Sequence, residues 1–154
     1  MEELYNKGPL KGVRVLDLST VIAAPYGATL LGDFGSEVIK VEKPGEGDPL
    51  RDLGPYYENE GLRWPGMSRN KKSLTLDLRK KRGQEILKKI ARKSDIVIEN
   101  FRTGTLEKWN IGYEDLKEVN PNIIMIRVTG YGQTGPNAYK AGFGTPATAF
   151  SGFT

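Results

Sequence analysis

The sequence predicts an α/β domain with a mostly parallel sheet and helices on both faces. Short runs of β-branched and aliphatic residues alternate with segments of helical period along the whole chain, and this order is typical of successive βαβ units. The length of 154 residues fits one domain. An apolar content of 38% and a charged content of 27% are ordinary for a globular protein.

The spacing of the hydrophobic residues predicts whether each segment is a strand or a helix. Continuous runs of Val, Ile and Leu indicate buried strands, whereas Leu87, Ile90 and Ala91 recur at helical spacing opposite a face of Lys and Arg. Pro25 suits the first turn of a helix, where its missing N–H costs no hydrogen bond. The predicted strands are residues 12–18, 37–42, 73–78, 95–98 and 122–128, and the predicted helices are residues 26–34, 80–92, 103–109 and 113–119.

Two segments are predicted to be irregular. Residues 43–70 are rich in Gly and Pro and carry Tyr56, Tyr57 and Trp64; a loop of this length is usually functional or lies across a partner surface. Residues 130–136 read Gly-Tyr-Gly-Gln-Thr-Gly-Pro. The three glycines match a dinucleotide fingerprint, but a proline follows where a helix should open. The motif therefore favours an ordinary strand-to-loop turn over a dinucleotide site.

Composition restricts the possible chemistry. The chain has no Cys and no His, which removes thiol nucleophiles, the commonest metal ligands and the usual general base. No metal is therefore expected. A net charge of +4 suits an acidic ligand such as a phosphorylated cofactor, although a mixed solvated surface explains the charge equally well. No nucleic acid is expected as a partner. The sequence contains no apolar run long enough for a membrane helix and no leader pattern after Met1, so we expect a cytoplasmic protein.

The carboxyl ends of the predicted strands carry the candidate binding residues, because parallel sheets bind ligands there. Residues 19–25 are small and lead into a helix N-terminus, which favours phosphate, or simply allows close packing of helix on sheet. Lys43 follows the second strand, and Asn100 and Phe101 follow the fourth. An amide, a ring and nearby cations can bind a base and phosphates; a buried Phe with a polar cap is the alternative. The basic run 79–82 is either a phosphate contact or the solvated start of a helix.

Seven segments together resemble family III coenzyme A transferases, the relatives of formyl-CoA transferase, carnitine-CoA transferase and 2-methylacyl-CoA racemase. The resemblance starts near residue 8 and runs to the end, and the segments occur in the family's order. Because family members are several hundred residues long, residues 1–154 resemble the truncated CoA-binding, Rossmann-like amino-terminal portion of such an enzyme, either as an engineered fragment or as a truncated product. The segments are residues 10–19, 24–25, 31–44, 70–78, 94–104, 109–113 and 130–136.

The resemblance implies coenzyme A or an acyl-CoA as substrate, with a carboxylic acid as acceptor. Adenine, a 3′-phosphate and a pyrophosphate require apolar walls, stacking surfaces and cations. Lys43 and Lys108 stand where the family often has Arg, which keeps the charge but loses bidentate geometry. The implied cofactor-binding residues are Val21 and Ala23 through their main chain, Lys43, Leu76, Arg79, Asn100, Phe101, Thr105 and Lys108.

The resemblance also implies how the reaction proceeds. The transferases use a catalytic aspartate that forms an acyl anhydride and then a CoA thioester, and this aspartate is expected beyond residue 154, so residues 1–154 alone are expected to be inactive. Two alternatives stay open, an acyl-CoA racemase and a CoA-binding module without catalysis. Phe143 and Gly144 stand where the racemase branch has His and Asp, which argues against the racemase. The family also implies an interlocked homodimer, so apolar surface should remain exposed at Tyr56, Tyr57, Trp64 and residues 143–153.

Overall fold

A five-stranded parallel sheet forms the centre of the computed structural model, which describes residues 8–153. The order of its strands is β5-β2-β1-β6-β7, and a separate antiparallel hairpin consists of β3 and β4. The strands are β1 Arg14–Asp17, β2 Glu37–Glu42, β3 Tyr56–Tyr57, β4 Glu60–Gly61, β5 Lys71–Thr75, β6 Ile96–Glu99 and β7 Ile124–Arg127. The helices are α1 Ala23–Asp33, α2 Arg63–Met67, α3 Lys81–Ala91, α4 Thr105–Lys108, α5 Tyr113–Val119 and α6 Gly144–Ser151.

The order of the strands creates a switch point at β1. The chain runs outward from β1 to β2 and β5, then returns to place β6 and β7 on the other side of β1. Val15 pairs with Val38 of β2 and with Ile96 of β6, all in parallel register. The loops after β1 and β6 therefore diverge, and such a point is where open parallel sheets bind ligands.

Helices pack on both faces of the sheet, as the sequence predicts. Helix α1 contributes Ala24 and Ala28 to a core on one face, with Val15 and Val38 of the sheet. On the other face, α3, α4 and α5 contribute Leu87, Leu106 and Leu116 to a larger core around Leu16 and Val97. Each such side chain is fully buried, and burial of one Leu stabilises a fold by about 1.5–3 kcal/mol.

The fifth strand differs most from its predicted bounds. It covers Lys71–Thr75 rather than residues 73–78, because Lys71 is a strand residue whose ammonium group is buried. Its Nζ donates to Asp17 Oδ2 at 2.8 Å and to the Pro25 carbonyl at 2.6 Å. The strand ends at Thr75, although Leu76 N–H still donates to the Glu42 carbonyl at 2.8 Å. Residues 76–79 are thus free to leave the sheet and line its carboxyl edge.

The segment 43–70, predicted to be irregular, contains short elements. A 3₁₀ turn covers Pro49–Asp52, the β3–β4 hairpin follows, and α2 completes the segment. Tyr56 and Tyr57 are exposed as predicted, whereas Trp64 is partly covered by the Arg51 guanidinium, 3.8 Å from its ring centre. In residues 8–153, no helix is both long enough and apolar enough to cross a bilayer.

The tail forms a helix with exposed aromatic residues. Residues 143–153, where the sequence leads us to expect unburied apolar surface, contain α6, in which no residue is buried. Phe143, Phe150 and Phe153 are 74%, 89% and 83% exposed. Ile124 and Ile126 on the edge strand β7 are also exposed. These residues form apolar surface without a partner inside the described chain.

Candidate functional site

A cavity of about 230 Å³ opens at the carboxyl ends of β1, β2, β5 and β6. Its walls are mostly apolar and include two aromatic rings, Phe101 and Trp109, which meet edge to face with their centres 5.3 Å apart. Such a pair leaves flat apolar surface against which a planar ring can stack. The apolar wall residues are Leu18, Val41, Pro49, Leu76, Leu78, Phe101 and Trp109.

Two cations stand on the rim of this cavity, and each is already paired with a carboxylate. Lys43 binds Glu46 through its ammonium group. Arg79 binds Asp77 through two parallel contacts, Nε–Oδ1 at 2.9 Å and a terminal guanidinium nitrogen to Oδ2 at 3.0 Å. The Arg79 guanidinium lowers the pKa of Asp77 to about 2. An incoming phosphate therefore competes with these carboxylates for both cations.

A buried group of four charges adjoins the cavity, and two of its members, Lys40 and Asp48, line it. Lys40 Nζ is 3.0 Å from Asp48 Oδ2 and 3.9 Å from Asp17 Oδ1, and its ammonium donates to the Ser19 carbonyl. Lys71 Nζ is 2.8 Å from Asp17 Oδ2. All four side chains are at most 3% exposed. Burial lowers the pKa of Lys71, and the Asp17 carboxylate opposes that effect. Removing one member would leave a buried charge unpaired, at a cost of about 3–5 kcal/mol.

Glu42, at the end of β2, links this group to the rim. Its carboxylate accepts hydrogen bonds from Arg51 at 2.7 and 2.9 Å, from Ser73 Oγ at 2.7 Å and from the Asp48 amide at 3.0 Å. Burial favours the protonated acid, but these donors outweigh it and lower the pKa of Glu42 to about 2. The 3₁₀ turn that carries Arg51 is thereby tied to the sheet.

The turn between β1 and α1 is held by side chains from other elements. Asn100 accepts a hydrogen bond from Thr20 N–H and donates one to the Thr20 carbonyl, both at 2.8 Å. Val21 N–H donates to Asp48 Oδ1 at 3.1 Å. Val21 has φ of 68°, a left-handed conformation that costs a residue with a Cβ about 1–2 kcal/mol. The turn is thus a strained segment at the cavity, and Thr20 lines the wall.

A second carboxylate holds the backbone of Phe101. Glu99 at the end of β6 accepts the Phe101 amide at 2.6 Å and lies 3.3 Å from Arg127 Nε. Burial raises the pKa of Glu99, whereas the Phe101 amide and the Arg127 guanidinium oppose that effect. Arg127 also binds Gln133 of the glycine-rich segment at 3.2 Å. Phe101 is therefore fixed both through its ring and through its backbone.

Four of the residues predicted from the sequence line the cavity together. Lys43, Leu76, Arg79 and Phe101 come from three separate segments and meet there. This agrees with the expectation that the strand ends converge at one edge of the sheet.

The other five predicted residues lie outside the cavity wall. Val21 and Asn100 act on the turn beside it, as described above. Ala23 is exposed at the first position of α1, Thr105 is half-buried at the start of α4, and Lys108 is exposed at the end of α4. Lys108 immediately precedes the wall residue Trp109.

Sequence reasoning missed the buried charges and one ring. Lys40 reads as an ordinary strand lysine and Asp48 as a loop residue before Pro49, although Asp before a proline is a signal for a helical N-cap. Asp48 does cap the 3₁₀ turn, accepting Leu50 N–H at 2.9 Å. No sequence signal marks Trp109 as a wall residue. Within residues 8–153, no three His, Cys, Asp or Glu side chains are grouped as around a metal ion.

The sequence profile of CoA-transferase family III matches residues 10–154. The chain belongs to CoA-transferase family III. It is 53% identical over 145 residues to the succinyl-CoA–D-citramalate CoA-transferase of Chloroflexus aurantiacus, with 94% of this chain and 36% of that protein covered. It is 46% identical to the succinyl-CoA:glutarate CoA-transferase of Mus musculus, with 94% and 33% covered.

Solved structures agree with the family III assignment. The crystal structure of a CAIB/BAIF family protein from Brucella suis superimposes with a TM-score of 0.88 at 38% identity, covering 94% of this chain and 39% of that one. The parallel α/β fold predicted from the sequence is thus confirmed. This family III chain spans about a third of the length of the curated relatives named above.

Proposed function

We propose that this chain is the CoA-binding, amino-terminal part of a CoA transferase that moves coenzyme A from an acyl-CoA to a carboxylic acid. The curated relatives are succinyl-CoA transferases by name, which supports succinyl-CoA as a donor. The observation that carries the proposal is the apolar cavity with two aromatic rings and two rim cations at the switch point of the sheet.

The size of the cavity supports one end of coenzyme A, rather than the whole molecule, as its occupant. Ligand sites for whole drug-sized molecules have about 300–1,000 Å³, and this cavity has about 230 Å³. It suits one end of the cofactor, the adenine nucleotide, with the base against Phe101 and phosphates at Lys43 and Arg79. The pantetheine arm then follows the turn at Val21 and Ala23 and contacts its main chain, and Thr105 and Lys108 of α4 flank the path.

The chemical step belongs to a carboxylate outside this chain. The proposed nucleophile is an aspartate beyond residue 154, which takes the acyl group as an anhydride and then holds CoA as a thioester. Two such exchanges replace one difficult transfer. Residues 1–154 supply binding rather than this nucleophile. The proposal includes a homodimer, as the family resemblance implies, and a cytoplasmic location, as expected from the sequence.

Calorimetric titration of the 154-residue chain with CoA tests the binding site. Lys43→Glu places a negative charge where a phosphate is expected, and Phe101→Leu removes the aromatic face but keeps apolar volume. Each change should weaken binding by about 1–3 kcal/mol, or roughly 5- to 150-fold.

Two matched controls separate the site from general effects. Lys89→Glu makes the same charge reversal on the exposed face of α3, and Tyr57→Leu removes an exposed ring from β3. Both should leave CoA affinity unchanged. If Lys43→Glu and Phe101→Leu also bind CoA as tightly as the unaltered chain, this cavity is not the CoA site.

A further inference from the structure

The turn before α1 contains an unusual backbone conformation. Val21 has φ of 68°, in the left-handed region that β-branched residues rarely adopt. The other non-glycine residues with positive φ in residues 8–153 are Glu58 and three asparagines, and asparagine tolerates this region. Such strain persists only where the surroundings impose it, and it concentrates at functional sites.

Asp48 supplies the contact that holds Val21. Its Oδ1 accepts Val21 N–H at 3.1 Å and Leu50 N–H at 2.9 Å. It therefore joins two loops that lie 27 residues apart in sequence, both next to the cavity. The preceding residue, Thr20, is held by Asn100 at 2.8 Å, so Val21 is the position in the turn that depends on Asp48.

The Asp48 carboxylate is itself fixed. It is 1% exposed, Lys40 Nζ lies 3.0 Å from its Oδ2, and its own amide donates to Glu42 Oε2 at 3.0 Å. One oxygen of Asp48 thus faces the buried Lys40 ammonium, while the other accepts hydrogen bonds from the Val21 and Leu50 amides. A carboxylate held in this way has little freedom to release Val21 when the cavity is empty.

We propose that Asp48 is a positioning residue of the CoA site, which keeps Val21 in the left-handed conformation and so fixes the turn in the geometry that CoA binds. This inference rests on the proposed function. It differs from a purely structural role because Asp48 would act on affinity through Val21 and not only through the buried ion pair.

Two substitutions at Asp48 separate these roles. Asp48→Asn keeps an oxygen that can accept the Val21 amide but loses the charge opposite Lys40. Asp48→Ala loses both. Both variants should lower the unfolding midpoint, Asp48→Ala by more, because it also leaves the Val21 and Leu50 amides without their acceptor. CoA affinity should fall about tenfold in Asp48→Ala, the ratio that corresponds to the left-handed penalty, and less than threefold in Asp48→Asn. Equal losses of affinity in the two variants would overturn the proposal.

A second substitution tests the route through Val21. Glycine adopts positive φ without strain, so Val21→Gly in the Asp48→Ala background should recover most of the lost CoA affinity. It should not restore the unfolding midpoint, because Lys40 still lacks the Asp48 carboxylate that lies 3.0 Å from its ammonium in the unaltered chain. A double variant that binds CoA as weakly as Asp48→Ala would refute the proposal.

Backbone ¹³C chemical shifts of Val21 distinguish failure of this inference from failure of the proposed function. In the ligand-free chain, the shifts should report a left-handed Val21 in the unaltered protein and its loss in Asp48→Ala. An Asp48→Ala chain that keeps those shifts would refute the role of Asp48. An unaltered chain that shows a left-handed Val21 yet binds no CoA would instead refute the proposed function.

Discussion

Glu42 makes the stability of this protein depend on pH in a way that one substitution can isolate. Its carboxylate accepts hydrogen bonds from Arg51, Ser73 Oγ and the Asp48 amide, and its side chain is 2% exposed. Glu42→Gln keeps the shape and one acceptor oxygen but removes the charge. The variant should therefore lose the part of stability that depends on ionisation of Glu42.

The magnitude follows from the pKa. The donors lower the pKa of Glu42 from 4.5 to about 2, and one pH unit corresponds to ~1.4 kcal/mol, which gives about 3 kcal/mol. Arg51 is 40% exposed, so solvent screens part of the attraction, and we expect about 2 kcal/mol. Since the folded-state pKa of Glu42 is depressed, this contribution is complete above pH 4.5 and is lost as the pH falls toward 2.

Urea unfolding followed by circular dichroism at several pH values measures this contribution. Glu42→Gln should be less stable than the unaltered chain by about 2 kcal/mol at pH 7, and the difference should shrink steadily between pH 4.5 and 2. Glu118→Gln, the same change at an exposed position of α5, is the control and should alter stability little. A difference for Glu42→Gln that stays constant down to pH 2 would refute the assignment of the charge network.

The fold was predictable because its signals are local. Buried parallel strands read as continuous apolar runs such as residues 95–98, and the helix over Lys81–Ala91 shows its apolar stripe directly. The start of β5 was not predictable, since Lys71 reads as a solvated residue until Asp17 of a strand 54 residues away is brought to it. The predicted start of a strand was thus wrong where a polar side chain is buried against a partner that is distant in the sequence.

The residues of the candidate site that follow the strand ends were predictable from the sequence, whereas the buried charges beside them were not. Topology alone brings Lys43 and Phe101 to one edge, so their positions in sequence were enough. The charges of Asp17, Lys40 and Asp48 form a buried group only in three dimensions, and no spacing rule reveals it. Whether the nine residues implied by the family resemblance bind CoA stays a prediction.

Two further predictions concern packing and assembly. Gly83→Ala would place a Cβ 2.0 Å from the Asp77 carbonyl oxygen. We therefore expect this variant to be less stable by about 1–3 kcal/mol in urea unfolding and to bind CoA more weakly in calorimetry. Gly66→Ala, which has open space around its Cβ, is the control and should change neither stability nor affinity. The exposed aromatic residues of α6 and its flanks should make the chain self-associate, because Phe150 and Phe153 are 89% and 83% exposed and large apolar surfaces usually mark an interaction site. Sedimentation velocity should therefore show larger species as the concentration rises. Phe150→Asp should reduce the amount of these species, because a carboxylate at position 150 disfavours burial of this surface between two copies of the chain. A strict monomer at high concentration, equal in both chains, would mean that this surface has no partner in a second copy.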